Sequence, residues 1–285
     1  MKIELISLVL ANALLAGCAS SHSGKPAAVT QPAAVTTRYI LQTDLTYTPD
    51  DWPRPLKADV YVPGGAGPFP GVLMVHGGGW VGGERAVMNQ LSQRLARRGY
   101  AVVNIDYRLA PQFHHPAQLE DLREAVRWMR ANAARLKIQP DSIGAWGYSA
   151  GAHLVALLGT DGEGPTTRVK AVVAGGLPSN LSDFPKSPVI RALMGAPRDA
   201  DPAAWAQASP YALASRGDTP MFIYHGTWDT TVRVDQARKM YSALRGAGVA
   251  AELYLLNGYG HNTTFLFGFG AENAAIDFLD RYLRQ

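Results

Sequence analysis

Residues 142–158 read Ser-Ile-Gly-Ala-Trp-Gly-Tyr-Ser-Ala-Gly-Ala-His-Leu-Val-Ala-Leu-Leu, and the fold turns on them. Ser142 to Tyr148 predicts a strand. Ala150 to Leu158 predicts a helix so apolar all round that it must lie buried at the centre of the protein. Between the two, Gly147-Tyr148-Ser149-Ala150-Gly151 fits the pattern G-x-S-x-G. Such a turn is tight enough that the flanking positions favour glycine, because a side chain there would meet neighbouring backbone. A strand, a sharp turn and a helix in succession would push Ser149 beyond the strand's carboxyl end, at a helix N-terminus whose dipole favours developing negative charge. It is this setting that separates Ser149 from a structural serine in a glycine turn.

Outward from that stretch, apolar runs of strand length alternate with segments of helical period, the mark of βαβ units. Residues 38–47 and 56–62 predict an antiparallel pair of lead-in strands. Gly71 to His76, Ala101 to Asp106, Val169 to Ala174, Met221 to His225 and Glu252 to Leu256 predict five more. A helix over Val87 to Arg98 sets Leu91 and Leu95 one turn apart and stops at Gly99. The longest helix, Pro116 to Leu136, carries Leu119, Leu122, Val126, Met129 and Ala133 along one face. Further helices fall near 233–246 and 271–284. The class is therefore α/β, with a mostly parallel sheet of about eight strands and helices on both faces. A Pro-rich insertion at 177–216, with weak periodicity, stands where a lid or substrate loop would sit.

The chain has 285 residues, 47% of them of hydrophobic type, enough for one domain with a large core once the N-terminal tract is set aside. The formal charge is +4 and the pI about 9.2, but the basic residues are scattered, and only the pairs Arg97-Arg98 and Arg238-Lys239 are adjacent. Nucleic acid binding would require a clustered basic face. The one cysteine, Cys18, excludes an intramolecular disulfide and a Cys-rich metal cluster. Lys2 is followed by a largely apolar run from Ile3 to Leu15, shorter than the about 20 residues of a membrane span but suited to a signal-peptide core. Leu15-Ala16-Gly17-Cys18 resembles the bacterial lipobox. That likeness implies a signal peptide at 1–17, cleavage before Cys18, and lipidation of its sulfur. It also implies anchorage in the cell envelope, by analogy at the outer membrane. Glu4 departs from the usual basic n-region, and an ordinary secreted leader with an incidental cysteine is the alternative. Residues 18–37 are rich in Ser, Pro, Ala, Thr and Gly and read as a flexible tether. The catalytic domain is expected at 38–285.

A serine hydroxyl attacks only when a base takes its proton, so a histidine and an acid must be found for Ser149. Asp229, in His225-Gly226-Thr227-Trp228-Asp229, follows one strand; His261, in Gly258-Tyr259-Gly260-His261-Asn262, follows the last. Both would emerge at the sheet edge that carries Ser149. Asp229 would fix the imidazole tautomer through one ring nitrogen while the other accepts the serine proton. Asp235 is the competing acid, set back in or near the next helix. His76-Gly77-Gly78-Gly79-Trp80 follows the first core strand. Its glycines would let the N–H groups of Gly78 and Gly79, with that of Ala150, form an oxyanion hole. A phosphate-cradling loop, the alternative, lacks the dinucleotide or Walker spacing. The remaining histidines carry structural readings: His76 scaffolds the glycine loop, His153 lies in the buried helix and His225 ends a strand. His114 and His115 are paired near a loop without the carboxylate or Cys spacing of a metal site, and no metal is expected.

Together His76 to Gly79, Asp106-Tyr107-Arg108-Leu109-Ala110-Pro111, Gly147 to Gly151, His225-Gly226 with Asp229, and His261 resemble one branch of the α/β-hydrolases. It is the hormone-sensitive-lipase-like and acetyl-xylan/feruloyl esterase (BD-FAE-like) branch, and the likeness runs from about residue 40 to the C-terminus. It implies an α/β-hydrolase fold and carboxylic ester hydrolysis through an acyl-enzyme on Ser149, with no cofactor. Its substrate would be a small-molecule or polysaccharide-linked ester. Larger lipase-like members carry an N-terminal helical cap, for which residues 19–55 offer no helical pattern. This favours short acyl groups, among them acetyl or feruloyl groups on polysaccharide. Two alternatives stand beside it: a serine peptidase of the prolyl-oligopeptidase type, which usually adds a propeller, and a non-catalytic envelope binding protein.

Overall fold

The computed structural model describes residues 20–26, 38–160 and 164–284. The expected signal peptide, Cys18 and the greater part of the expected tether lie outside them. One sheet organises the chain, in the order β1-β9-β8-β7-β6-β4-β5-β3-β2. Its parallel centre is built from β4 (Phe69–Val75), β5 (Ala101–Ile105), β6 (Ile138–Tyr148), β7 (Ala171–Gly175), β8 (Met221–Gly226) and β9 (Ala251–Leu256). β2 (Tyr39–Thr46) and β3 (Lys57–Pro63) are the antiparallel lead-in, β3 pairing with β5.

The ninth strand, β1 (Ser21–Ser23), pairs antiparallel with β9 in a stretch read from sequence as tether. Composition there gives no apolar period, and the strand is held instead by a particular side chain. His22 reaches Glu252 with Nε2 2.8 Å from Oε2, and its ring packs edge-on to Phe222 at 5.5 Å. An exposed sheet edge invites such pairing because its N–H and C=O groups lack partners.

The two-residue period of β4 sorts its side chains between two cores: Leu73 and Val75 face one, Val72 and Met74 the other. Over the first lie α2 (Ala117–Ala131), α3 (Ala133–Leu136) following it after Asn132, α4 (Ala150–Thr160) and α8 (Asp235–Gly246). Over the second lie α1 (Asn89–Arg97) and α10 (Phe269–Leu283). Each fully buried Leu, Ile or Phe contributes roughly 1.5–3 kcal/mol, and α4 is buried along its whole length, as its uniform apolarity requires. The helix expected from Val87 begins as a 3₁₀ turn at Arg85–Met88 before α1, and Gly99 ends it at φ +80°.

The insertion at 177–216 is ordered. It forms a 3₁₀ turn at Leu181–Asp183 and three short helices, α5 (Pro188–Met194), α6 (Pro202–Gln207) and α7 (Pro210–Leu213). Leu181, Ile190, Leu193, Trp205 and Ala208 are buried in the first core. Helices this short carry too few turns to display a period, which is why the sequence shows none.

Candidate active site

Because β4, β6, β7, β8 and β9 run parallel, the segments that leave their carboxyl ends gather at one edge. Ser149 stands there between β6 and α4 at φ +55°, a strained conformation for a residue with a side chain. Its N–H donates to the Gly175 carbonyl at 2.8 Å, which pins the turn to β7. The two motif glycines are required by contact. A Cβ on Gly147 would lie 2.2 Å from the Gly151 carbonyl oxygen, and one on Gly151 would lie 2.3 Å from that of Val75.

Asp229 and His261, 80 and 112 residues along the chain from Ser149, meet it. His261 places Nε2 2.9 Å from Ser149 Oγ and Nδ1 2.6 Å from Asp229 Oδ2. The other oxygen of Asp229 accepts from the amides of Thr231, at 2.9 Å, and Val232, at 2.8 Å. Burial works to raise the Asp229 carboxyl. Contacts with His225 and His261 and the Val232 amide overcome it and hold the group well below the usual carboxylate range. Asp235, the competing acid, opens α8 and pairs with Arg233 and Lys239. His261 begins α9 (His261–Phe267). Its backbone carbonyl accepts from the Tyr148 hydroxyl at 2.6 Å, so the residue before Ser149 also seats His261.

The glycine loop after β4 abuts this group, a Cβ on Gly77 falling 3.2 Å from Ser149 Cβ. Gly78 and Gly79 take φ of +116° and +61°. Their N–H groups meet no protein acceptor among the described residues, and the Ala150 N–H, in the first turn of α4, has no intrahelical acceptor. The three donors expected from sequence are therefore available. The loop is held from behind: the His76 ring stacks on Tyr107 at 4.3 Å, and the Tyr107 hydroxyl donates to the His76 carbonyl at 3.1 Å. Asp106-Tyr107-Arg108 thus serves as the loop's support, with Arg108 fixed by buried Asp121 at 2.7 Å. Val189 of α5 lies across from Gly79, 3.6 Å from where a Cβ would be, so the insertion borders the site.

Sequence reasoning missed three contributors. Tyr148 reads from sequence as a strand residue, yet its hydroxyl holds the His261 backbone carbonyl. His153, fully buried, joins the Trp80 indole to the insertion. His225 lies against Asp229, its Nε2 2.7 Å from the Val232 carbonyl and 3.3 Å from Asp229 Oδ2. The four-residue spacing of His225 and Asp229 at a strand end was the available signal for the last. His114, by contrast, gives Nδ1 to the Ala192 carbonyl at 2.9 Å and stands with α5.

The chain is similar to several known esterases. The esterase LipC of Mycobacterium tuberculosis is 32% identical over 224 residues, covering 70% of this chain and 55% of that protein. The chain spans about half the length of the curated relatives it matches. The Thermogutta terrifontis esterase Est2, solved with propionate bound, superposes with a TM-score of 0.72 at 26% identity, over 88% of this chain and 96% of that one. A truncated carbohydrate esterase from gut microbiota shares the fold, with a TM-score of 0.77 at 24% identity, over 89% of this chain and 99% of that one. The α/β-hydrolase fold is shared with these esterases, and the BD-FAE family model matches residues 58–244, from β3 to α8. With most of the sheet, the glycine loop, Ser149 and Asp229 inside the matched span, the chain belongs to the BD-FAE family.

Proposed function

We propose that the chain is a serine carboxylesterase that hydrolyses short-acyl carboxylic esters through an acyl-enzyme on Ser149. One observation carries the reading: the two ring nitrogens of His261 lie 2.9 Å from Ser149 Oγ and 2.6 Å from Asp229 Oδ2. Asp229, kept ionised by its donors, holds the proton on Nδ1 and leaves Nε2 bare to accept one. As Oγ attacks an ester carbonyl, its proton passes to Nε2, and the carbonyl oxygen becomes an oxyanion facing the N–H groups of Gly78, Gly79 and Ala150. Each such donor is worth roughly 10²–10³ in rate. The proton then passes to the departing alkoxide, the alcohol leaves, and water releases the acid from Ser149 by the same steps.

The short-acyl reading is supported by the similarity to Est2, which was solved with propionate and with butyrate bound. The family resemblance extends the proposal to acetyl or feruloyl groups on polysaccharide. The test is hydrolysis of p-nitrophenyl acetate, butyrate and laurate by wild type and Ser149→Ala. Turnover falling with chain length in wild type and vanishing in the variant is expected; equal release by both proteins would end the assignment. We also propose a lipid anchor on Cys18 in the bacterial cell envelope, three residues before β1. Labelled palmitate should enter wild type but not Cys18→Ala, and equal labelling would refute the anchor.

A further inference from the structure

Beyond the three residues of the relay, a fourth side chain is built into it. His225 is completely buried at the end of β8. Its Nε2 faces only acceptors, the Val232 carbonyl oxygen at 2.7 Å and Asp229 Oδ2 at 3.3 Å. Nε2 must therefore carry the hydrogen, aimed at Val232 with the Asp229 carboxylate alongside. Val232 is in turn one of the two residues whose amides hold Asp229 Oδ1. Thus one imidazole clamps the loop that supplies an amide to one carboxylate oxygen, and presents an N–H dipole to the other, the one that receives His261. His225 Nδ1 has no partner among the described residues, so the ring's hydrogen bonding is spent entirely on the Asp229 loop.

A buried polar side chain is retained at a cost unless its contacts are used. A hydrophobic residue would fill the end of β8 as well if packing were all that was needed. Next door, Gly226 has no room for a Cβ, which would fall 2.2 Å from the Tyr259 carbonyl oxygen. The strand end is thereby packed tightly against the loop that delivers His261, and Asp229 is left with few ways to turn except those its donors set.

We infer that His225 is a positioning residue for the relay, fixing the orientation of the Asp229 carboxylate through Val232 and through its own Nε2–H. The role rests on the proposed serine-hydrolase reading for its kinetic consequence but not for its geometric one. The test compares His225→Leu, which removes the donor, with His225→Gln, whose amide nitrogen can occupy the place of Nε2. Loss of orientation on this scale costs about 10- to 100-fold in rate. The leucine variant should lose that much kcat with KM little changed, and the glutamine variant should recover most of it. In parallel, the downfield proton resonance of the His261–Asp229 hydrogen bond should broaden or vanish in the leucine variant and persist in the glutamine variant. Thermal melts of both variants accompany the measurement. An unchanged resonance and unchanged kcat in the leucine variant would overturn the inference. So would equal losses in both variants that follow their melting temperatures. If neither wild type nor variants hydrolyse esters while the resonance still responds as stated, the esterase reading fails and the positioning role stands.

Discussion

The indole nitrogen of Trp80 donates to Nδ1 of His153 across 3.3 Å, tying the end of the glycine loop to the helix that opens beside Ser149. The other imidazole nitrogen donates to the Ala208 carbonyl at 2.7 Å, so one buried ring joins glycine loop, central helix and insertion. His153→Leu leaves the Trp80 N–H and the Ala208 carbonyl buried without partners, at about 1–3 kcal/mol for each unsatisfied group. Urea unfolding should report a loss of stability, and kcat should fall as the glycine loop loosens. Unchanged stability would show that the ring is mere filling.

The same histidine gives the fold a defined acid sensitivity. Burial pushes His153 down from 6.5 to about 3, against the opposing hydrogen bond to Ala208. Between those values the unfolded chain holds a proton that the folded chain lacks, so stability declines as pH falls, by up to about 1.4 kcal/mol per pH unit. His76, also lowered by burial, acts in the same direction. Asp121 acts oppositely: burial raises it from 3.8 to about 6, so across that window the folded chain gains its proton first and offsets part of the decline. Unfolding free energies measured from pH 7 to pH 4 should fall less steeply in His153→Leu than in wild type.

Arg108 and Asp121 form a buried ion pair at 2.7 Å beneath the glycine loop, where Trp52 also donates to Asp121 at 2.8 Å. Removing one partner strands the other, a loss of about 3–5 kcal/mol for buried pairs. Arg108→Leu should melt far below wild type. The double variant Arg108→Leu with Asp121→Leu should regain much of the loss, because no buried charge is then left alone.

Gly78 and Gly79 both take positive φ, yet substitutions there should differ. A Cβ on Gly78 would lie 2.1 Å from the Gly82 carbonyl oxygen, whereas one on Gly79 first meets Val189 at 3.6 Å. Gly79→Ala should cost about 1–2 kcal/mol for its left-handed backbone and keep most activity. Gly78→Ala must displace the loop and should lose about 10² in kcat. Wild-type kcat in both variants would show that neither amide faces the reacting carbonyl.

The meeting of Ser149, Asp229 and His261 was legible in sequence for a topological reason. In a parallel sheet every strand ends at the same edge, so a serine, an acid and a histidine that each follow a strand must converge, however distant in the chain. What escaped was whatever depends on contacts between segments with no periodic signal of their own. Ser21–Ser23 forms a strand because His22 finds Glu252 and Phe222, not because its residues favour one. The helices at 188–213 are too short to show a period and are ordered by Leu193 and Trp205 entering the core. His225 and His153 looked like buried strand and helix residues, as indeed they are; only the positions of Val232, Asp229 and Trp80 reveal what their ring nitrogens do.

The most direct test of the relay is covalent. After brief exposure to a dialkyl nitrophenyl phosphate, intact-protein and peptide mass spectrometry should find one dialkylphosphoryl group on wild type, carried by Ser149. Ser149→Ala should show none, and His261→Ala should be labelled at a small fraction of the wild-type rate. Labelling of His261→Ala as fast as wild type, or labelling of a residue other than Ser149, would contradict a hydroxyl activated by that imidazole.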